Sequence, residues 1–176
     1  MTLRLERLGP GHAPAILAGQ DDALAEEIIG ARWETEMLGE FLERAARWRD
    51  EGPIREYAAV LRSPPVAGGR LLGGGRLVGG GGLNLMAPGL ARGQAALTYW
   101  LLAEHRGRRH GFELVRALVD RARSDVRIAQ LVLRIAPRNE ASRAVARRLG
   151  AISAGTRDRH PADASRLADR WVLDLR

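Results

Sequence analysis

The segment that most restricts the fold is a dense apolar run, Ala95 to Leu102, which passes through a basic loop straight into an amphipathic helix. A short apolar run bounded by turn-forming residues reads as a largely buried strand. Phe112, Val115, Leu118, Val119 and Ala122 then recur at helical spacing. The loop between them is Arg106-Gly107-Arg108-Arg109-His110-Gly111. A helix start exposes N–H groups without intrahelical partners and carries the positive end of the helix dipole, so a basic loop there forms an anion cradle. Arg106, Arg108 and Arg109 add guanidinium forks. A pyrophosphate suits such a cradle. A sulfate suits it too, and a merely solvated basic loop has the same sequence.

The flanking segments supply a sheet for that strand. Thr2 to Leu8 reads as an edge strand, broken by Pro10-Gly11. His12 to Ala18 and Asp21 to Ile29 read as short helical pieces. Thr35 to Asp50 reads as a longer helix, with Met37, Leu38, Phe41, Leu42, Ala45 and Trp48 on one face. Arg55 to Arg62 is a strand, and Ser63 to Gly69 a turn or loop. Glycines at 73–75 and 79–82 permit a linker. Leu77, Val78, Leu83 and Leu85 favour a glycine-rich strand over Arg76 to Met86 instead. Leu131 to Ala136 is a strong strand stopped by Pro137. Asn139 is placed to cap a helix that ends at Gly150. Ile152 to Arg157 and Arg170 to Leu175 are the last two strands. The order β-α-α-β-β-β-α-β-α-β-β predicts one α/β (α+β) domain over residues 1–176.

Composition removes several chemistries. The chain has 176 residues and a net charge of +7, and no lysine is present, so all 28 basic residues are arginine. Without lysine there is no Schiff base and no P-loop lysine. Without cysteine there is no thiolate zinc site, no disulfide and no thiol nucleophile. His105 and His110 lie in the basic loop without a matching carboxylate cluster, so no metal is expected. No apolar run approaches the ~18 residues of a membrane span. The first twelve residues lack the apolar core of a signal peptide, so a cytoplasmic location is expected. The arginine excess reads equally as a composition bias and as selection for an anionic partner.

Further residues bring a family into view. Leu97-Thr98-Tyr99-Trp100-Leu101-Leu102, then Arg106 to Gly111, then Asn139-Glu140-Ala141-Ser142 and Leu149-Gly150 occur in that order. This series resembles the acyl-coenzyme A core of the GNAT superfamily of N-acetyltransferases, and in particular the RimJ/RimL-type branch that acetylates ribosomal-protein N-termini. The family loop is Gln/Arg-x-x-Gly-x-Gly/Ala. Here Arg106 and Gly111 match, while Arg109 stands where the middle glycine belongs. The resemblance is good over about half of the chain, and its order and spacing extend over most of the rest.

The resemblance implies a mixed, mostly antiparallel sheet of about six or seven strands, flanked by about four helices, with a splayed central strand pair. It implies acetyl-CoA as acyl donor, no metal, and direct attack of a primary amine on the thioester. Backbone groups of Trp100, Leu101 and Leu102 would pair with pantetheine. Arg106, Gly107, Arg108, Arg109, His110, Gly111 and Phe112 would hold the pyrophosphate, with Asn139 and Ser142 near the thioester. The tyrosine that many relatives carry seven residues after the asparagine is replaced by Ala146, so Ser142 inherits the role of stabilising or protonating the thiolate. No general base is assigned: Glu104 lies near the pyrophosphate loop, Glu34 and His12 fall on the expected substrate side but are not aimed by sequence, Tyr99 could line the cleft, and a water chain is the alternative. The acceptor, a small-molecule amine or a protein N-terminus, is expected to meet the N-terminal helices and the loops near Pro88 and His160. Trp33 and Trp48 read as walls of that pocket or as packing between helix and sheet. A monomer or homodimer is expected, and nucleic acid is disfavoured by the low aromatic content. Two alternatives stand beside the enzyme: an acyl-CoA-binding GNAT fold without transfer activity, and a basic RNA- or ribosome-binding module.

Overall fold

The computed structural model describes residues 2–28, 30–62, 75–160, 163 and 165–176. The expected loop at Ser63 to Gly69 lies outside these residues. Among them are seven strands: β1 (Thr2–Arg7), β2 (Ile54–Arg62), β3 (Arg76–Asn84), β4 (Gln94–Leu101), β5 (Gln130–Ile135), β6 (Ile152–Arg159) and β7 (Leu167–Asp174). Five α-helices accompany them: α1 (Ala13–Gly19), α2 (Asp22–Ile28), α3 (Thr35–Arg47), α4 (His110–Arg123) and α5 (Glu140–Arg148). The three helical segments expected before β2 are all present. Asp21 starts a separate one, its Oδ1 accepting the Leu24 N–H at 2.9 Å. α3 stops at Arg47 because Trp48 turns extended and sets its ring edge-on to Phe41 at 6.2 Å.

The strands form one sheet in the order β1-β2-β3-β4-β5-β7-β6. All neighbours are antiparallel except β4 and β5. That parallel pair joins only at Gln94–Gln130, Ala95–Leu131 and Ala96–Val132. Beyond Ala96 the strands part, so the splayed central pair is present.

The two faces of the sheet are sorted by strand alternation. Tyr57, Ala59 and Leu61 of β2 face the α4 side, where Leu114, Val115, Leu118 and Val119 complete the larger core. Ala58 and Val60 face Ile16, Leu38 and Leu42 of α1 and α3 in the smaller one. Each fully buried aliphatic side chain contributes roughly 1.5–3 kcal/mol. The glycine run is a strand, as expected, though it ends at Asn84. Glycine is required there by close approach. A Cβ at Gly80 would stand 2.7 Å from Trp100 Cζ2 and 2.7 Å from Tyr57 O. A Cβ at Gly82 would stand 2.5 Å from Glu56 Cδ. No described helix is long and apolar enough to cross a membrane.

Candidate active site

The gap between β4 and β5 opens into a cleft of about 620 Å³ on the α4–α5 side. Its floor is Tyr99, Trp100 and Leu101, and its far end is the loop at Arg106, Gly107, Arg109 and Gly111. Gly107 and Arg109 both have positive φ, 72° and 65°. Their left-handed turns coil the loop so that it delivers the free N–H groups of the first turn of α4 to one place. Arg109 is the residue immediately before α4 and the one described non-glycine residue with positive φ. Arg148 of α5 lies over the Phe112 ring at 4.2 Å, so a further guanidinium reaches this cleft.

A second cavity, about 520 Å³, lies on the α1–α3 side. Its walls include Trp33, Leu38 and Phe41, and its rim includes Pro88 and His160. Trp33 is held in place through its backbone: its N–H donates to Gln20 Oε1 at 2.7 Å, and its carbonyl accepts from Gln20 Nε2 at 3.0 Å. Its ring stacks on Phe41 at 5.2 Å. Thr98, in mid-sheet, is exposed on this floor. The two cavities share Leu24, Tyr99, Trp100, Asn139 and Ser142, so they meet at the splay.

At that junction the Tyr99 hydroxyl donates to Ser142 Oγ at 2.9 Å. Burial pushes the Tyr99 phenol up from its ordinary value, outweighing the opposing effect of its hydrogen bond with Ser142, so it stays protonated at neutral pH. Ser142 is fixed through its backbone, whose N–H donates to Asn139 Oδ1 at 3.0 Å. Asn139 is thus the cap of α5, as its sequence position predicts. Ala146 is fully buried and brings no hydroxyl. A phenol reaches the site from β4 instead.

Several expected donor contacts are rearranged. Leu102 is buried with the α1–α3 core, and its N–H donates to Val78 O at 3.0 Å, toward β3. By alternation Trp100 also directs its backbone to β3, while Leu101 and Tyr99 direct theirs into the gap. Trp100 lines the cleft with its side chain. Arg106 is not a free phosphate fork. Its guanidinium grips Asp21 at 2.7 and 2.8 Å and Leu101 O at 3.1 Å, tying the loop to the start of α2. That grip holds the Asp21 carboxyl below its ordinary value. Arg108 and His110 do not line the cleft; Arg108 is exposed, and the His110 ring lies 5.7 Å from His105. Arg109, Gly107, Gly111, Phe112, Asn139 and Ser142 do line it.

The proposed bases separate in the same way. Glu104 pairs with Arg76 at 2.6 Å, Glu34 is exposed before α3, and His12 binds Glu6 at 3.1 Å. None of these three lines the cavity behind Thr98; Tyr99 does. A carboxylate that sequence did not single out, Glu56 of β2, does as well. Trp33 walls this cavity, whereas Trp48 packs between helix and sheet. No group of three or more metal-ligating side chains occurs among the described residues.

Solved structures share this fold. An AAC(6')-Ib structure with paromomycin and acetyl-CoA aligns over 99% of this chain and 94% of its own, with 17% identity and TM-score 0.76. Ribosomal L7/L12 alpha-N-protein acetyltransferase RimL with coenzyme A aligns over 99% and 94%, with 17% identity and TM-score 0.75. Spermidine N-acetyltransferase from Vibrio cholerae with CoA and spermine aligns over 99% and 96%, with 13% identity and TM-score 0.75. At such identities the likeness is one of fold. No curated protein matches the sequence. The sequence itself matches the acetyltransferase (GNAT) domain over residues 2–152, most of its length, and the chain belongs to that family.

Proposed function

We propose that this chain is an acetyl-CoA-dependent N-acetyltransferase that transfers the acetyl group directly to a primary amine. The observation that carries the proposal is the meeting of two cavities at Tyr99, Trp100, Asn139 and Ser142. One cavity suits an anionic, elongated donor. Arg106, Arg109, Arg138 and Arg148 line it against the single carboxylate of Glu26 among the described residues. The other suits an acceptor. The neighbours solved with coenzyme A, an aminoglycoside or spermine support this division.

In this assignment the N–H groups at the start of α4 and the Arg109 and Arg148 guanidinium groups hold the phosphates. The backbone of Leu101 and Tyr99 faces the gap, where an N–H stabilises negative charge developing on the thioester oxygen. The Tyr99 hydroxyl, in series with Ser142, supplies a proton to the departing thiolate. No acyl-enzyme is required, consistent with a chain that has no cysteine.

Thermal shift with coenzyme A tests the donor site. Ligand at ~100 times its dissociation constant stabilises by about 2.7 kcal/mol, which for this length raises Tm by roughly 5–10 °C. Gly111→Glu places a carboxylate where Gly111 lines the cleft and should remove the shift. Thiol release with an amine panel then separates transfer from binding alone. A wild-type chain that gives no shift with coenzyme A or acetyl-CoA refutes the proposal.

A further inference from the structure

Glu56 is a carboxylate that lines the same cavity as the apolar side chains Ile16, Trp33, Leu38 and Phe41. It sits on β2 in register with Gly82 of β3, which is itself in register with Thr98 of β4. Alternation puts Glu56 on the α1–α3 face, behind the exposed Thr98. The missing side chain at Gly82 leaves the space that the carboxyl occupies. Among the described residues Glu56 forms no side-chain hydrogen bond or ion pair, and it is the one carboxylate lining this cavity.

We infer that this cavity takes a primary amine carrying a single positive charge on an apolar body, and that Glu56 receives the proton the amine gives up. The inference rests on the acetyltransferase reading above.

The neighbouring charges are already committed. Arg134, on the β5 side of the cavity, donates to Asp158 at 2.9 Å and to Pro88 O. Glu6 of β1 binds Arg62 at 3.0 Å and His12 at 3.1 Å. Arg55 points to the other face, 3.0 Å from Asp125, and Tyr57 lies on that face too. Tyr99 donates to Ser142. His160 lines the cavity wall through a buried ring. α1 and α3 contribute Ile16, Leu38 and Phe41, which are uncharged. Burial alone pushes the Glu56 carboxyl up to about 7, so it exchanges a proton at neutral pH.

The wall chemistry selects the acceptor. Stacked Trp33 and Phe41, with Leu38 and Ile16, favour an aromatic or aliphatic body. One ammonium group meets one carboxylate. A polyamine or aminosugar would bring further ammonium groups into walls that offer no second carboxylate among the described residues, at a desolvation cost without return.

The ammonium R–NH3+ gives one proton to the Glu56 carboxylate. The amine nitrogen forms a bond to the thioester carbonyl carbon, and the carbon–sulfur bond breaks. A second proton, lost from that nitrogen, replaces the one that the Tyr99–Ser142 pair donates to the thiolate. Glu56 returns its proton to water.

The test uses the full chain, acetyl-CoA and thiol release with 2-phenylethylamine, tryptamine, spermidine and kanamycin. The two apolar monoamines should show kcat/KM at least about tenfold above spermidine and kanamycin. Glu56→Gln should lower kcat/KM for 2-phenylethylamine roughly 100-fold at pH 7, and should abolish the rise in log(kcat/KM) with a midpoint near pH 7. Its coenzyme A thermal shift should equal that of the wild type, showing that the variant is folded. A chain that binds coenzyme A but acetylates spermidine or kanamycin as well as the monoamines, or acetylates no member of the panel, overturns the acceptor class. A Glu56→Gln variant with wild-type kcat/KM and an intact pH rise overturns the proton role. Failure of coenzyme A to bind the wild type overturns the donor assignment instead.

Discussion

Tyr99 and Ser142 lie 43 positions apart in the chain and share one hydrogen bond, from the phenol to Ser142 Oγ at 2.9 Å, where the donor and acceptor cavities meet. β4 brings the first, and the first turn of α5 brings the second. In the proposed reaction these two hydroxyl groups would relay the proton that relatives take from a tyrosine at the position of Ala146. Tyr99→Phe keeps the ring and removes the donor. It should lower kcat by about 100-fold while the KM for acetyl-CoA stays within about twofold. Ser142→Ala should lower kcat by less, because the phenol remains. Steady-state kinetics of both variants checks the order, and a Tyr99→Phe enzyme with full turnover removes Tyr99 from the reaction.

Arg106 acts through Asp21. If the guanidinium served the phosphates directly, Asp21→Ala would release it and tighten coenzyme A binding. The bidentate pair predicts the reverse. Arg106→Ala and Asp21→Ala should weaken binding by similar factors, and the double variant should add little to either. Both side chains are about one-third exposed, 37% and 36%, so the coupling to stability should be small, about 1 kcal/mol or less. Calorimetric titration of the four proteins in the cycle provides the measurement.

Arg109 holds φ 65° and ψ −1° immediately before α4. Left-handed backbone costs a residue with a Cβ roughly 1–2 kcal/mol, and glycine nearly nothing. Arg109→Gly should therefore be more stable than Arg109→Ala by about 1 kcal/mol. Both should lose affinity for coenzyme A, since both remove the guanidinium from the cleft. Equal stability of the two variants in urea would show that the turn relaxes when the arginine is gone.

Much of this was legible because strong local signals and tertiary structure agree. The apolar run at Ala95, the helical spacing from Phe112, the Asn139 cap and the Gly150 stop all sit within a residue or two of their expected places. What sequence does not carry is aim. Arg106 and Arg109 are equivalent as basic loop residues, yet one is bound by Asp21, 85 positions away, and the other lines the cleft. Glu56 is one charged residue in a strand until its register with Gly82 is known. The glycine run looked like a weak strand or a linker for the same reason. Its meaning lies in the Trp100 ring and the Glu56 carboxyl that lie across it.

Asp125 contributes to the acid sensitivity of the fold. Hydrogen bonding to Arg127 leads the effects that lower its carboxyl, with the nearby Arg55 charge assisting, and brings it from 3.8 to about 2. It is 10% exposed and lies 3.0 Å from the buried Arg55 guanidinium. A depressed carboxylate contributes stability that is present above its unfolded value of 3.8 and is lost as pH falls toward 2. The contribution is about 2 kcal/mol. Asp125→Asn should lose it at pH 7, and more besides, because Arg55 stays buried without its countercharge. Urea unfolding at pH 7 and pH 3 should show the gap between variant and wild type narrowing in acid.

Glu56 predicts the opposite sign. Its carboxyl is raised from 4.5 to about 7. The folded chain therefore favours the protonated form, and the stability associated with that proton is complete below 4.5 and is lost as pH rises through 7. A difference of about 2.5 pH units corresponds to at most about 3 kcal/mol, less whatever water at the cavity mouth screens. Glu56→Gln keeps the shape and cannot ionise. It should match the wild type in stability at pH 4 and exceed it at pH 8, while losing activity at pH 8. If the variant is instead less stable than the wild type at pH 8, the ionised carboxylate has a stabilising partner, and the cavity would then not hold Glu56 in reserve for an incoming ammonium group.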